Sequence, residues 1–191
     1  LCSVLLLEGR VLRHAVAPSL SDEYTRAIDG VRIGPAVGSC GAAAYKNEFV
    51  IVEDIATDPL WADYREIALR QGLKTCWSTP IRDAAGSVLG VFAVYRRTAV
   101  APDAAQEELI NMSVYLAGIA IERRRAEEAL RLVKFSVDHA TDAMYWVGSG
   151  AELLDVNETA CAMLGYTKEE FSRMTVLDLN PNLHERPWPI R

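Results

Sequence analysis

Short apolar runs separated by polar turns dominate the N-terminal part of the chain. LCSVLLL and VLRHAVA flank the turn at residues 8–10, and LKTCWSTPI and SVLGVFAVY flank the turn at residues 83–86. Each pair is typical of a β-hairpin, because short apolar runs bounded by turn residues favour strands. With EFVIV as a further buried strand, this part of the chain is predicted to contain about five strands with helices inserted between them, an α+β arrangement.

Three short helices are predicted between these strands. One covers residues 18–28, with Ser19 or Ser21 as its N-cap, and another begins at Asp58-Pro59 and ends at Gly72. Between them, glycines break the chain ahead of a helix over residues 42–46. Cys40 therefore lies among glycines at the N-terminal end of a predicted helix.

A long helix is predicted from Pro102 onward, because its apolar residues recur every seven positions in two interleaved series. Residues 104–121 are expected to pack mainly on their own domain. Beyond residue 122 the apolar face thins, so the helix is expected to leave the domain and pair with its copy in a dimer, with Arg123 interrupting the seam. The two series are Leu109, Leu116, Leu130 and Val137, and Met112, Ile119, Ala126 and Val133.

A second globular segment is predicted after Phe135. AMYWV and ELLDV are strand-like, Asn157 is expected to cap a helix that ends at Gly165, and Thr167 with Glu170 forms a capping-box pattern. Two strands and two short helices make a poor core for a separate domain. We therefore expect this second domain to be cut off, just as the first residue, Leu, suggests that the natural chain begins further upstream.

Composition and charge exclude several function classes. The net charge is −6 and no basic stretch is present, which argues against nucleic acid as a partner. No apolar stretch approaches the roughly 20 residues that span a bilayer. The four cysteines contain no C-x-x-C pair and the three histidines are scattered, which argues against zinc and against a disulfide framework and favours a cytoplasmic location.

The sequence contains none of the motifs of common enzyme classes, and Cys40 with Cys76 comes closest to a reactive constellation. A helix N-terminus lowers a thiol pKa, so Cys40 could be reactive. No histidine or basic residue lies near it in the sequence, and we favour the alternative that it is a small apolar wall residue of a pocket. Trp61 and Trp77 are candidate pocket walls or core residues. Strand alternation puts Trp77 on one face and Cys76 with Ser78 on the other, and which face meets a pocket stays open.

The segment from VRIGPAVGSC to GVFAVY, with V-x-D-I and W-S-x-P-I between them, resembles a GAF domain of bacterial sensor histidine kinases and diguanylate cyclases. The resemblance covers residues 1 to about 125, without the usual first helix. It implies an antiparallel sheet flanked by helices and a long C-terminal connector helix. The implied small-molecule pocket would be lined by Tyr24, Cys40, Trp61, Cys76, Trp77 and Ser78.

The segment V-N-x-x-A-x-x-x-L-G-Y-T-x-x-E-F resembles the front half of a PAS domain, an α/β module. The resulting prediction is a GAF domain over 1–121, a coiled-coil connector over 122–135 and a truncated PAS domain over 136–191. Such modules in series imply a sensory input unit that binds an unknown small molecule, dimerises through the 104–135 helix and passes a change to a kinase or cyclase output domain. No catalytic residue and no metal ligand is predicted.

The ligand class stays open. The resemblance implies neither a bilin, because Cys40 is not followed by His, nor a cyclic nucleotide, because the corresponding motif is missing. A haem would need an axial histidine, and His14 is the only candidate in the first domain. Two alternatives remain: a thiol redox sensor or GAF-type reductase that uses Cys40 and Cys76, and a dimerisation spacer that binds nothing.

Overall fold

The computed structural model describes residues 1–180, and the chain divides after Arg124 into two compact units. One helix, α4, is continuous across this division. The elements before it are β1 (Cys2–Glu8), β2 (Val11–Val16), α1 (Asp22–Ala27), β3 (Val31–Arg32), α2 (Gly38–Lys46), β4 (Val50–Val52), a 3-10 helix (Pro59–Trp61), α3 (Arg65–Arg70), β5 (Thr75–Arg82) and β6 (Val88–Arg96). The remaining elements are α4 (Ala104–Asp138), β7 (Tyr145–Val147), β8 (Leu153–Val156), α5 (Glu158–Leu164), α6 (Lys168–Phe171) and α7 (Val176–Leu179).

The first unit is built on an antiparallel sheet in the order β3-β2-β1-β6-β5-β4. Both predicted hairpins are present, β1 with β2 and β5 with β6, and they join through the β1–β6 pair. The sheet has one strand more than predicted, because the two-residue β3 is too short to leave a periodic pattern. Gly90 lies directly against the backbone of Leu5, where no side chain fits.

Local capping explains where the helices of this unit begin. Ser21 Oγ accepts a hydrogen bond from the Tyr24 backbone N–H at 3.2 Å, which fixes the start of α1. Helix α2 begins at Gly38, earlier than predicted, because glycine readily adopts the φ of +54° found there. The helix predicted between Asp58 and Gly72 is split into the 3-10 helix and α3.

The core of the first unit lies between the sheet and the helices α1, α2 and α3. Fully buried aliphatic and aromatic side chains from both layers form one cluster that includes Leu5, Leu12, Tyr24, Val52, Ile55, Trp61, Ala68, Leu73, Val91 and Tyr95. Burial of this much apolar surface is the main driving force for folding.

Helix α4 contacts the first unit through a different face from the predicted seven-residue series. Only Ile110 and Gly118 are buried along it, whereas the apolar series that was expected to pack on the domain is exposed. A Cβ on Gly118 would lie 3.1 Å from the carbonyl oxygen of Arg82, so the helix approaches the chain closely there. The exposed residues within 104–121 are Leu109, Met112, Tyr115, Leu116 and Ile119.

The second unit contains the two-stranded antiparallel sheet β7–β8 and three short helices around Leu153, Val156, Ala160 and Phe171. Asn157 caps α5, and Gly165 follows it in the left-handed conformation. The predicted capping box of Thr167 and Glu170 is present. The division into 1–121, 122–135 and 136–191 stays a prediction, and residues 181–191 of the last segment lie outside the described residues.

Across residues 1–180, no helix is both long enough and apolar enough to cross a membrane.

Candidate ligand-binding cavity

A small cavity lies inside the first unit, between the sheet and helices α1 and α2. Its volume is about 40 Å³. That is room for a few water-sized groups, since one water needs at least about 10–15 Å³ on this measure. The wall contains no Asp, Glu, Lys, Arg or His side chain and consists of Leu5, Leu12, Tyr24, Ile28, Val31, Val37, Gly38, Ser39, Cys40, Gly41, Trp61, Tyr64 and Tyr95.

The strand pattern decides which side chains approach the cavity. Cys76 and Ser78 alternate with Trp77 along β5 and share the opposite face from it. Cys76 pairs directly with Tyr95 across the β5–β6 ladder. Trp77 is buried as well, so burial alone does not separate the two faces of β5. Ser78 contacts the wall residue Cys40, which puts the face that carries Cys76 and Ser78 on the cavity side.

A chain of polar contacts runs beneath the first turn of α2. Cys40 Sγ lies 3.3 Å from Ser78 Oγ and 4.0 Å from Tyr95 Oη, and Cys76 Sγ lies 3.5 Å from the same Ser78 Oγ. Tyr95 Oη in turn lies 3.3 Å from Ser3 Oγ. One serine hydroxyl therefore contacts both sulfurs.

The two thiols differ in acidity. Hydrogen bonding from Cys76 is the largest cause that lowers the pKa of Cys40, to about 7, and Ser78 and Tyr95 add to it. Burial raises the pKa of Cys76 well above its usual value, and so does the neighbouring Cys40. Burial and the nearby thiols likewise raise the pKa values of Tyr24 and Tyr95. Only Cys40 in this group carries much negative charge at neutral pH.

Three buried polar atoms of the cavity wall make no hydrogen bond of standard geometry within the described chain. They are Tyr24 Oη, Ser39 Oγ and Trp61 Nε1. Contact with Tyr95 still lowers the pKa of Tyr24, and Ser39 lowers the pKa values of Cys40 and Cys76, so Trp61 Nε1 is the clearest unpaired group of the three. A buried polar group without a partner costs about 1–3 kcal/mol, and more than nine in ten buried polar groups avoid this situation. His14 and Thr79 also carry buried unpaired atoms, but neither residue lines the cavity.

The six residues predicted to bind a ligand fall into three groups. Tyr24, Cys40 and Trp61 line the cavity, and Cys76 and Ser78 contact Cys40 behind the wall.

Trp77, the remaining predicted residue, lies outside the wall of this cavity. Its ring lies on the opposite face of β5, under the guanidinium of Arg96 at 5.4 Å from the ring centroid, and its Nε1–H donates to the Val100 carbonyl at 3.2 Å. The alternation of side chains along a strand excludes it from the cavity.

Sequence reasoning missed Ser39, Tyr64 and Tyr95 as wall residues. The position of Tyr95 could have been found from the register of the second hairpin, which puts it opposite Cys76. Ser39 precedes Cys40 in the glycine-rich segment, but its orientation depends on where α2 begins, and that was predicted too late in the chain.

A larger groove in the described chain is a poorer candidate. A groove of about 520 Å³ lies between the β5–β6 turn and α4, lined by residues such as Arg82, Asn111 and Tyr115, and none of the unpaired buried atoms belongs to it. Residues 1–180 also contain no group of three His, Cys, Asp or Glu side chains arranged to hold a metal ion.

Known proteins resemble this chain over its whole length or over the first unit. The family model described as the GAF domain matches residues 1–122. The methyl sulfide methyltransferase-associated sensor of Methanosarcina acetivorans is 38% identical over 189 residues. That alignment covers 95% of this chain but only 19% of the relative.

Solved structures agree on the fold. A domain of a two-component sensor histidine kinase protein from Sinorhizobium meliloti 1021 has a TM-score of 0.56 and 24% identity, over 68% of this chain and 83% of that one. The GAF domain of a phosphoenolpyruvate-protein phosphotransferase from Coxiella burnetii also has a TM-score of 0.56, at 15% identity over 67% and 74%. The chain therefore belongs to the GAF domain family, and it is similar to sensor proteins.

Proposed function

We propose that this chain is a non-enzymatic sensory input module whose first unit binds a small neutral molecule in the cavity beneath α1 and α2. The observation that carries the proposal is the set of three unpaired buried polar groups, on Tyr24, Ser39 and Trp61, around one cavity. A ligand that pairs them removes their desolvation penalty and so gains affinity from few contacts.

The cavity wall favours a particular ligand chemistry. The indole Nε1–H of Trp61 can only donate, so the ligand needs an acceptor, most simply an oxygen atom. Aliphatic side chains such as Leu5, Leu12 and Ile28 form much of the remaining wall, which favours an apolar remainder. The wall has no Asp, Glu, Lys, Arg or His side chain to pair with a charged ligand, and the partly ionised Cys40 thiol repels an anion, so a neutral molecule fits best.

A relay to other domains would run along α4. Its exposed apolar residues recur at the seven-residue spacing of a coiled coil, and they include Leu116 and Ile119 before Arg123 and Leu130 and Val133 after it. Such a stripe suits a parallel homodimer, in which a second copy covers it. A ligand that prefers one packing of the cavity would then shift the population of two seam arrangements.

The second unit is proposed to be the front half of a PAS domain, and a kinase or cyclase output domain is proposed to follow in the natural chain. The similarity to the M. acetivorans sensor supports this assignment, because it extends over both units. The alignment covers only 19% of that relative, so the rest of the relative is long enough to contain further domains. This placement in a longer sensor is part of the proposal.

The first experiment is native mass spectrometry of the purified chain, with an absorbance spectrum of the same sample. An added mass that is lost on denaturation would reveal a bound ligand. If none co-purifies, acetone and dimethyl sulfoxide serve as NMR probes, since each carries one acceptor oxygen and two methyl groups. Shifts at cavity residues support the proposal, and no shift there with any probe favours the spacer that binds nothing.

Matched tryptophan variants sharpen this test. Trp61→Phe keeps an aromatic ring in the wall but removes the indole N–H, the one unpaired group of the three that can donate a hydrogen bond but not accept one. Probe affinity should therefore fall by about tenfold, the equivalent of about 1.4 kcal/mol. Trp77→Phe is the control, because Trp77 lies outside the cavity. Equal affinities in the two variants would overturn the assignment of this cavity.

The relay has its own test. Cysteine crosslinking between copies at positions 119 and 126 should change when ligand occupies the cavity. Crosslinking that is the same with and without ligand would contradict the relay proposal and would leave the binding proposal standing.

A further inference from the structure

Cys40 and Cys76 come from distant parts of the sequence, yet they meet at one hydroxyl group. Ser78 Oγ lies 3.3 Å from Cys40 Sγ and 3.5 Å from Cys76 Sγ. Cys76 and Ser78 share one face of β5, and Cys40 belongs to the first turn of α2, which lies over that face. The two sulfurs are therefore close neighbours at the base of the cavity wall.

The two cysteines are unequal in access. Cys40 is partly exposed and lines the cavity, whereas Cys76 is fully buried behind it. A reagent that enters the cavity meets Cys40 first. The cavity volume of about 40 Å³ admits a molecule the size of hydrogen peroxide and excludes a bulky disulfide such as oxidised glutathione.

They are also unequal in protonation. Hydrogen bonding from Cys76 lowers the pKa of Cys40 to about 7, and the position of Cys40 in the first helical turn favours the thiolate further. Burial holds the pKa of Cys76 well above its usual value, so that thiol stays protonated. A low-pKa, accessible thiol beside a protonated one is typical of an attacking and a resolving cysteine.

We propose that Cys40 and Cys76 form a hydroperoxide-responsive thiol–disulfide switch in the wall of the cavity. The Cys40 thiolate attacks one peroxide oxygen, the O–O bond breaks, and the product is a sulfenic acid at Cys40 with hydroxide as the leaving group. The Cys76 thiol then attacks the Cys40 sulfur, and the sulfenic oxygen and the Cys76 proton leave as water. Both cysteines are oxidised by one electron each, and the peroxide is reduced to water and hydroxide, which takes up a proton.

The disulfide would change the cavity itself. Its formation replaces the hydrogen-bonding thiols of Cys40 and Cys76 with a covalent bond that ties the first turn of α2 to β5. Because Ser39 and Cys40 are both wall residues, the wall is held in one arrangement after oxidation. This consequence rests on the proposed ligand-binding function, whereas the redox step does not.

The decisive experiment needs no ligand. The reduced chain is treated with hydrogen peroxide, the remaining thiols are alkylated, and the protein is digested without reductant. We expect a Cys40–Cys76 linked peptide and an intact mass lower by two hydrogen atoms, with Cys2 and Cys161 still alkylated. Absence of the linked peptide while Cys161 or Cys2 becomes oxidised would overturn the proposal.

Variants identify the order of the two steps. In Cys76→Ser the Cys40 sulfenic acid cannot be resolved, so trapping with dimedone at Cys40 should rise by about tenfold over the wild type. In Cys40→Ser no linked peptide can form and Cys76 should resist peroxide. The double variant of Cys2→Ser and Cys161→Ser is the control and should form the Cys40–Cys76 bond at the wild-type rate.

The pH profile separates this mechanism from random oxidation. The rate at Cys40 should rise with pH to a plateau with a midpoint at about 7, since only the thiolate attacks. A midpoint near that of an ordinary thiol, about 8.5, would overturn the proposal. Probe affinity is then compared between the reduced and oxidised chain: a severalfold change supports the regulatory role, and no change overturns that role while leaving the redox chemistry intact.

Discussion

Asn157 in the second unit and the polar groups of the cavity wall in the first unit are all buried. They differ in their hydrogen bonding, because Asn157 is fully paired and the cavity groups are not. Asn157 Oδ1 accepts from the backbone N–H groups of Met144 and Ala160, each at 3.0 Å. Its Nδ2 donates to the carbonyls of Val137 and Asp142 at 3.0 and 2.9 Å. Every hydrogen-bonding position of the amide is used.

Tyr24 Oη and Trp61 Nε1 show the other extreme. Both side chains are buried in the core of the first unit, and neither polar atom makes a hydrogen bond of standard geometry within residues 1–180. A buried amide whose hydrogen-bonding positions are all used within the protein holds chain segments together and has no free position for a ligand. Unpaired groups that converge on a cavity weaken the fold and give a ligand something to pair with. The difference separates an architectural polar residue from a functional one.

The largest expected effect is at Asn157. Asn157→Ala leaves two backbone donors and two carbonyl acceptors without partners, so the free energy of unfolding of the second unit should fall by about 3 kcal/mol or more. Urea denaturation, with hydrogen exchange at the β7 and β8 amides, measures it. Thr167→Ala is the comparison, because loss of an exposed N-cap should cost only about 1 kcal/mol. An Asn157→Ala loss no larger than that would break the contrast.

A pair of tyrosines gives the next effect. Tyr24→Phe deletes an unpaired hydroxyl, so the ligand-free protein should keep its unfolding free energy or gain up to about 1 kcal/mol. Tyr95→Phe deletes a hydroxyl that contacts Ser3 and Cys40, and it should lose about 1 kcal/mol. The two rings pack edge to face at 6.0 Å in the same core, so their surroundings are closely matched. Chemical denaturation of both variants measures the difference.

The opposite result would be informative. If Tyr24→Phe destabilises the ligand-free protein as much as Tyr95→Phe does, then the Tyr24 hydroxyl is paired in solution. The cavity would then offer one polar group fewer, and the ligand proposal would rest on Trp61 and Ser39.

Local signals explain what the sequence could predict. The two hairpins, the Asn157 cap and the Thr167–Glu170 capping box depend on residues a few positions apart, and all are present. The GAF-type antiparallel sheet with helices is also confirmed. In these cases the physical cause lies inside the window that produces the pattern.

The candidate site depends on long-range packing, which the sequence does not encode locally. Cys40 and Cys76 meet only because α2 lies over β5. Whether the Tyr24 hydroxyl finds a hydrogen-bond partner depends on the packing of all the elements around it. The exposed apolar face of α4 presents the same difficulty. Its seven-residue pattern predicts that another surface covers it, but the pattern does not identify that surface. Trp77 and Cys76 could not be assigned to the cavity side or the opposite side of β5, because strand alternation alone does not say which face meets the cavity.

The smallest expected effect comes from a polar group that is paired but exposed, at Asp29. Its carboxylate accepts from the His14 backbone N–H at 2.8 Å and from Arg13 Nη1 at 3.0 Å, and the His14 bond is the main cause that lowers its pKa. Water competes for these contacts, so Asp29→Asn should reduce the unfolding free energy at neutral pH by only about 0.5 kcal/mol. Because the native pKa lies below the usual carboxyl value, this stabilisation is complete above that usual value and is lost as the pH falls through the lowered one. Urea denaturation of wild type and variant at neutral and acidic pH should therefore give unfolding free energies that differ at neutral pH and converge in acid. A difference that persists in acid would mean that the charge of Asp29 is not what stabilises this turn.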